Sequence, residues 1–383
     1  QGRLVCSVRA LFPQSAARCD SGRMGATKMA RHWSDGLLPV FIVVGSWMSG
    51  PLILVGFTLA LLLAGDWFCM VVVPAYLLTF NMPSRYLRLA IWTAFTAASL
   101  PSSLRLAMAT TVWVLGFPVL LDVQMPASPG FLEWMDKTLR FKSYARECVL
   151  RGSLDKIHPE KTVFAYHPHG ATSFGFTVNG LFDTSFVNKS KRLFFVIDDF
   201  LRYGNPVFRF FCDLYRTDTR DIRGASKKTL NEAMAKGTNI ALTLGGFEEA
   251  TVCETGKDRV VVKSRKGIIK YCLKYGYRIH PVYSFGEDET YYYAGGFTDC
   301  RLWLNTFKIP TVAFFGNPYC FLLPRREARV LTYIGDAIEC PKLENASNED
   351  VDKWHKLYVE GLLALFNAKK AEAGRPDAVL ELF

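Results

Sequence analysis

The sequence predicts an α/β fold, a mainly parallel sheet with flanking helices, preceded by a transmembrane helical hairpin. Three observations lead there. From residue 131 onward, short β-branched and aromatic runs alternate with helical segments, the order of strand–helix–strand units. Upstream, residues 37–80 run almost without charge. Near the C-terminus, Val351, Trp354, Leu357, Tyr358, Leu362 and Leu365 recur at helical spacing behind a capping-box-like Ser347-Asn348-Glu349-Asp350, the signature of a long packed helix.

Residues 1–36 set Arg3, Arg9, Arg18, Arg23, Lys28 and Arg31 against Asp20 and Asp35. They read as a basic disordered tail, with a transit peptide, or a leader ahead of Met24 or Met29, as alternatives. The apolar run at 37–80 exceeds the ~20 residues of a single span. It suits two spans and a tight turn, or one span and an interfacial helix. Basic residues flank both sides, Lys28 and Arg31 before and Arg85 and Arg88 after, which favours a hairpin with the remainder in the cytosol. Asp66 is expected near a membrane face, because a mid-bilayer carboxylate is costly. Residues 81–130 form a membrane-associated connector. Within it, 104–121 is a weaker apolar segment that reads equally as a membrane dip and as a core helix.

In the domain at 131–383, strands are expected at 162–166, 192–197, 239–244, 278–284 and 330–334, and helices at 225–236 and 264–276. The chain has 383 residues, 50% of them apolar and 14% aromatic, with a formal charge of +11. Such a charge suits anionic partners. No nucleic-acid motif or long Lys/Arg block accompanies it, so nucleic acid is not expected as a partner. Ten cysteines are scattered without a Cys-x-x-Cys and read as reduced, mostly buried thiols.

The chemistry concentrates where the first strand stops, at Tyr166-His167-Pro168-His169-Gly170. Imidazoles on a turn at a strand end are proton-transfer groups on a rigid support. The His-x-His spacing also invites a metal. A zinc site needs a third and usually a fourth ligand, and His32, His158, His280 and His355 sit at no metal-type spacing; no metal is expected. A second strand runs into Leu244-Gly245-Gly246-Phe247-Glu248-Glu249. Paired glycines let backbone N–H groups approach a ligand, and Glu249 can orient an imidazole. An ordinary glycine turn with solvated acids has the same composition. Arg259, Lys263, Arg265 and Lys266 precede a helix at 267–275. Cations there oppose the helix dipole, so they suit phosphates, or form a solvated basic face. Pro281-Val282-Tyr283-Ser284-Phe285-Gly286-Glu287 closes another strand; Pro281, Phe285 and Glu287 are expected to line the same pocket.

These blocks together resemble the type-2 diacylglycerol acyltransferase family, which includes monoacylglycerol and wax-alcohol acyltransferases. The likeness spans roughly 140–383, through the His-Pro-His-Gly turn, Gly245-Gly246-x-x-Glu249, Arg265-Lys266-Gly267 and Pro281–Glu287, and on to Pro341–Glu344, His355 and Tyr358. The resemblance implies a glycerophosphate-acyltransferase-like fold at 131–383. It implies acyl transfer from acyl-CoA, as co-substrate with no tightly bound cofactor, to diacylglycerol, giving triacylglycerol at the endoplasmic reticulum membrane and lipid droplets. His167 or His169 would be the base and Glu249 its orienting acid. Gly170, Gly245 and Gly246 would supply oxyanion N–H groups, and Arg265 and Lys266 would hold the acyl-CoA phosphates. Two departures stand out. The related fold places an Asp shortly after its His, whereas here the fifth residue is Thr172 counted from His167, or Phe174 counted from His169. The upstream Tyr-Phe-Pro of many relatives is replaced by Tyr144-Ala145-Arg146. Acceptor, acyl-chain preference and oligomeric state, a homo-oligomer included, stay open, as do an inactive lipid-droplet hairpin protein and a membrane-anchored zinc hydrolase.

Overall fold

The computed structural model describes residues 141–383 except 153 and 308–310, the helical stretch 85–120, and scattered positions elsewhere, 42–49 among them. The strands are β1 (Glu147–Arg151), β2 (Thr162–His167), β3 (Leu193–Ile197), β4 (Arg220–Gly224), β5 (Asn239–Thr243), β6 (Asp258–Val260), β7 (Arg278–Phe285), β8 (Tyr292–Tyr293), β9 (Phe314–Phe315), β10 (Arg329–Ile334), β11 (Ile338–Glu339) and β12 (Leu380–Leu382). The principal helices are α1 (Arg85–Ser99), α2 (Ser103–Leu120), α3 (Pro206–Leu214), α4 (Lys227–Ala235), α5 (Gly246–Val252), α6 (Gly267–Tyr275), α7 (Thr298–Thr306) and α8 (Asn348–Lys369).

One eight-stranded sheet organises the chain in the order β1-β10-β7-β2-β5-β3-β4, with β11 also on β7. From β7 to β4 every pairing is parallel. At one edge β10 runs antiparallel to β7, and β1 follows β10 in parallel. The sheet is thus mainly parallel, as the alternation of elements predicts, with one reversed edge. β2 is buried along its whole length, which is why it reads as a continuous apolar run. Its side chains alternate between two cores. Phe164 and Tyr166 join Phe186, Phe195 and Ile222 on one face, with the Phe164 and Phe186 rings edge to face at 4.9 Å. Val163 and Ala165 join Ile240, Tyr283 and the inner stripes of α4, α6 and α8 on the other.

α8 starts at the expected capping box: the Ser347 hydroxyl accepts the Asp350 N–H, and the Asp350 carboxylate accepts the Ser347 N–H. Val351, Tyr358, Leu362 and Leu365 face the core as the spacing predicts. Leu357 does not, and stays exposed. Between Val351 and Tyr358, Trp354 packs against the core partly buried, and His355 is buried with its Nε2 2.9 Å from the Val262 carbonyl. Cys148, Cys212, Cys253, Cys272 and Cys340 are buried free thiols.

The segment expected at 104–121 is α2. It packs along α1, and Gly116 leaves room for the buried Trp92 ring, whose edge lies 2.1 Å from where a Cβ would stand. Among the described residues no helix is long and apolar enough to cross a membrane. The expected hairpin at 37–80 falls mostly outside the described residues, and the tail at 1–36 wholly so.

Candidate active site

Because β2, β5 and β7 are parallel neighbours, their C-terminal ends emerge at one edge of the sheet. Tyr166 is in register with Thr243, and His167 with Tyr283. The three turns that follow, 168–173, 244–249 and 286–290, meet there. Open parallel sheets place their ligands at this edge.

The two histidines part company. His167, the last residue of β2, is entirely buried. Its Nδ1 lies 2.9 Å from Oε2 and 3.2 Å from Oε1 of Glu249, and its Nε2 lies 2.8 Å from the Tyr358 hydroxyl on α8. Glu249 is equally buried, and its Oε2 also accepts the Val261 N–H at 2.9 Å. Gly245 makes room for this carboxylate, since a Cβ there would stand 2.0 Å from Glu249 Oε2. Both nitrogens of His167 are therefore engaged inside the protein.

His169 lies beyond the strand, on the turn after a cis His167–Pro168 peptide, and is partly exposed. Its Nδ1 is 2.7 Å from the Gly170 carbonyl, to which it can only donate, and 3.1 Å from Ser173 Oγ. That fixes the neutral ring with its hydrogen on Nδ1, leaving Nε2 as the basic nitrogen; among the described residues Nε2 has no partner. Burial of the ring lowers its pKa from the usual imidazole value.

Glu287 holds the turn from beneath. Its two oxygens accept the Phe174 and Gly175 N–H groups at 2.7 Å each, while burial pushes its carboxyl up to about 8. Gly170, at φ +58°, passes so close that a Cβ would stand 2.6 Å from Glu287 Oε1. Tyr293 completes the brace by accepting the Ala171 N–H at 2.8 Å.

Other expected site residues fall elsewhere. Arg265 Nη2 bonds Glu248 Oε2 at 2.5 Å and the Gly245 carbonyl at 3.1 Å, so its charge braces the Gly245-Gly246 turn. Lys266 pairs with Asp352 at 2.7 Å on an exposed surface. Pro281 and Phe285, expected to line the pocket, are core residues. Pro281 packs against Gly335, and Phe285 stacks on Phe366 at 5.1 Å. The strand alternation that puts them there points them at α8. A cleft of about 450 Å³ near the β6–β12 pair is lined by Lys257, Asp258, Arg375 and Glu381 and holds none of the expected site residues. Among the described residues no group of three His, Cys, Asp or Glu side chains is arranged to hold a metal.

Tyr358, Ser173 and Tyr293 are the contributors that sequence reasoning missed as site residues. Tyr358 alone carried a signal, a hydroxyl on an otherwise apolar helical stripe.

Comparison with known proteins covers the part of the chain that builds this edge. The family model described as "Diacylglycerol acyltransferase" matches residues 119–383, and the chain belongs to that family. The human "Diacylglycerol O-acyltransferase 2-like protein 6" is 27% identical over 240 residues, 56% of this chain and 68% of that one. The human "Diacylglycerol O-acyltransferase 2" is 29% identical over 240 residues, 57% and 60% of the two chains. The Dictyostelium discoideum protein of the same name is 30% identical over 226 residues, 55% and 67%. The chain thus spans about 60–68% of the length of these curated relatives. A solved 1-acyl-sn-glycerophosphate acyltransferase, PlsC, from Thermotoga maritima superposes with a TM-score of 0.32 and 14% identity, over 72% of this chain and 96% of that one.

Proposed function

We propose that the chain transfers a fatty acyl group from acyl-CoA to the free hydroxyl of diacylglycerol, with His169 as general base. The observation that carries this reading is a partly exposed imidazole whose Nδ1 is tied to the Gly170 carbonyl and whose Nε2 has no partner among the described residues. Its lowered pKa keeps the ring unprotonated at neutral pH, so Nε2 is available to accept a proton. Nε2 takes the hydroxyl proton as the oxygen attacks the thioester carbonyl. The tetrahedral intermediate collapses by breaking the C–S bond, and the departing thiolate takes the proton from the imidazolium. No acyl-enzyme forms. Backbone N–H groups at Gly170, Gly245 or Gly246 would steady the oxyanion, at roughly 3 kcal/mol per donor. His167, Glu249 and Tyr358 act as positioning residues that fix the end of β2.

Of the two cations, Lys266 is the better placed for acyl-CoA phosphate. Its surface pair with Asp352 is of a kind worth under about 1 kcal/mol and is easily exchanged. Arg265 is committed to the turn. Membrane attachment through 37–80, residence at the endoplasmic reticulum with the catalytic domain in the cytosol, and a lipid-droplet pool belong to the same proposal. Purified full-length protein in lipid, given one labelled acyl-CoA and a panel of diacylglycerol, monoacylglycerol and long-chain alcohol, tests it. Preferred esterification of diacylglycerol is expected. Turnover of another acceptor would move the assignment within the family, and zero turnover with every acceptor together with normal lipid-droplet targeting would end it in favour of an inactive lipid-droplet hairpin protein.

A further inference from the structure

Between β7 and β10 the chain leaves the main sheet for an insertion, residues 286–328, with an unusual surface. The insertion is closed on itself. Tyr292 and Tyr293 pair with Phe315 and Phe314 across β8 and β9, the Ala294 N–H reaches the Ala313 carbonyl at 3.0 Å, and Arg301 Nε donates to the Thr311 carbonyl at 2.9 Å. On this frame large aromatic side chains stand in solvent. Phe297 is 88% exposed and Tyr319 98%, and Tyr292, Trp303, Phe307 and Phe315 are each about half exposed or more. Trp303 and Phe307, one turn apart on α7, meet edge to face at 5.0 Å. Phe297 also holds a left-handed backbone, φ +50°, unfavourable for a bulky residue. The chain thus accepts both a conformational and a hydration cost to present that ring, and so many exposed rings on one short insertion mark an interaction site.

The rings and their neighbouring cation narrow the partner. In sequence the insertion holds Glu287, Asp288, Glu289, Asp299 and Glu327 against Arg301, Lys308, Arg325 and Arg326, with Glu287 and Asp288 buried away from its surface. Arg325 lies over the exposed Tyr292 ring at 4.0 Å. Amphipathic rings beside cations match the headgroup level of an anionic bilayer, where Trp and Tyr concentrate. The insertion is also fastened to the candidate site. Tyr293 accepts the Ala171 N–H beside His169, and Asn305 Nδ2 donates at 2.6 Å to Thr251 Oγ1 on α5, the helix that carries Glu249.

We infer that this insertion is a lipid-interface contact of the catalytic domain itself, separate from any anchor at 37–80, and that it seats the turn carrying the partly exposed His169 on the surface holding the acceptor. Only the identity of the delivered lipid rests on the acyltransferase reading; the contact does not.

Amide hydrogen exchange of the full chain, with and without vesicles of phosphatidylcholine, phosphatidylserine and long-chain diacylglycerol, tests it. Peptides covering 297–307 and 315–321 are expected to gain protection with vesicles. In parallel, the variant Phe297→Ser, Trp303→Ser, Tyr319→Ser should lose at least about tenfold in acyl transfer to vesicle diacylglycerol, because three rings lose their apolar seat. It should keep its rate on a soluble short-chain diacylglycerol. Protection by vesicles in a chain that turns over neither acceptor would sustain the contact while sinking the acyltransferase reading. No protection on adding vesicles, equal loss with both acceptors, or protection that instead rises with protein concentration without vesicles, the mark of a second copy covering the patch, would overturn the inference.

Discussion

The Nδ1 atom of His167 lies 2.9 Å from Oε2 of Glu249, and both side chains are entirely buried. A carboxylate oxygen accepts, so His167 donates through Nδ1, and its Nε2 faces the Tyr358 hydroxyl at 2.8 Å. With Val261 donating to the same carboxylate, the chain of bonds closes without an orphan. Glu249→Ala would leave the His167 and Val261 N–H groups buried and unpaired, at about 1–3 kcal/mol each. A clear drop in the urea or thermal midpoint is expected, partly restored by Glu249→Gln, whose amide oxygen still accepts. An unchanged midpoint for Glu249→Ala would show that the pair is not formed.

Tyr358→Phe removes one donor and leaves an imidazole acceptor, a smaller loss of about 1 kcal/mol. If His167 is a positioning residue, turnover should fall by only a few-fold, alongside that modest loss of stability. A fall in kcat as deep as that of His169→Ala would instead make His167 part of the proton path.

Burial lowers the His169 pKa from 6.5, so the ring becomes protonated only below that value. A plot of kcat/KM against pH should stay flat at neutrality and fall on an acid limb centred below 6.5. The linked stability has a matching sign. Because the unfolded chain takes up the proton first, this group's contribution is fully present above 6.5 and is lost as pH falls through the lower folded value. An acid limb centred above 6.5 would contradict the assignment.

Glu287 and Gly170 are packed as one unit beneath the turn. Glu287→Ala strands the Phe174 and Gly175 N–H groups, at about 1–3 kcal/mol each, and frees the turn carrying His169. Gly170→Ala places a methyl where Glu287 now sits and forces it into a left-handed backbone. Both variants should unfold earlier and lose turnover together, by calorimetry and acyl-transfer assay. Wild-type midpoints would contradict this bracing role.

The central strands were legible because burial on both faces writes short, mostly apolar and β-branched runs: 162–166, 192–197, 239–244, 278–284 and 330–334 each lie within a residue or two of β2, β3, β5, β7 and β10. β1 (ECVLR) and β4 (RDIRG) were not. They are edge strands whose charged residues break the pattern. The reversal of β10 was hidden because alternation of elements carries no strand direction at a sheet edge. His167, His169 and Glu249 could be read as chemistry-bearing. Their division of labour could not, because it depends on β2 ending at His167, so that Pro168 and His169 no longer follow strand alternation. Pro281 and Phe285 lie on the strand side that faces α8, a contact visible only once α8 is docked. Tyr358 was legible as a core position, but its partner stands 191 residues away in sequence.

The most direct test of the account is transfer of labelled acyl-CoA to diacylglycerol by full-length protein in lipid, comparing wild type with His169→Ala. Nε2 is proposed to take the proton in the rate-determining attack, so a loss of about 10²–10⁴-fold in kcat is expected, with a melting midpoint close to wild type because the ring is only partly buried. Retention of wild-type turnover by His169→Ala in correctly folded protein would remove the base from this mechanism and contradict the account.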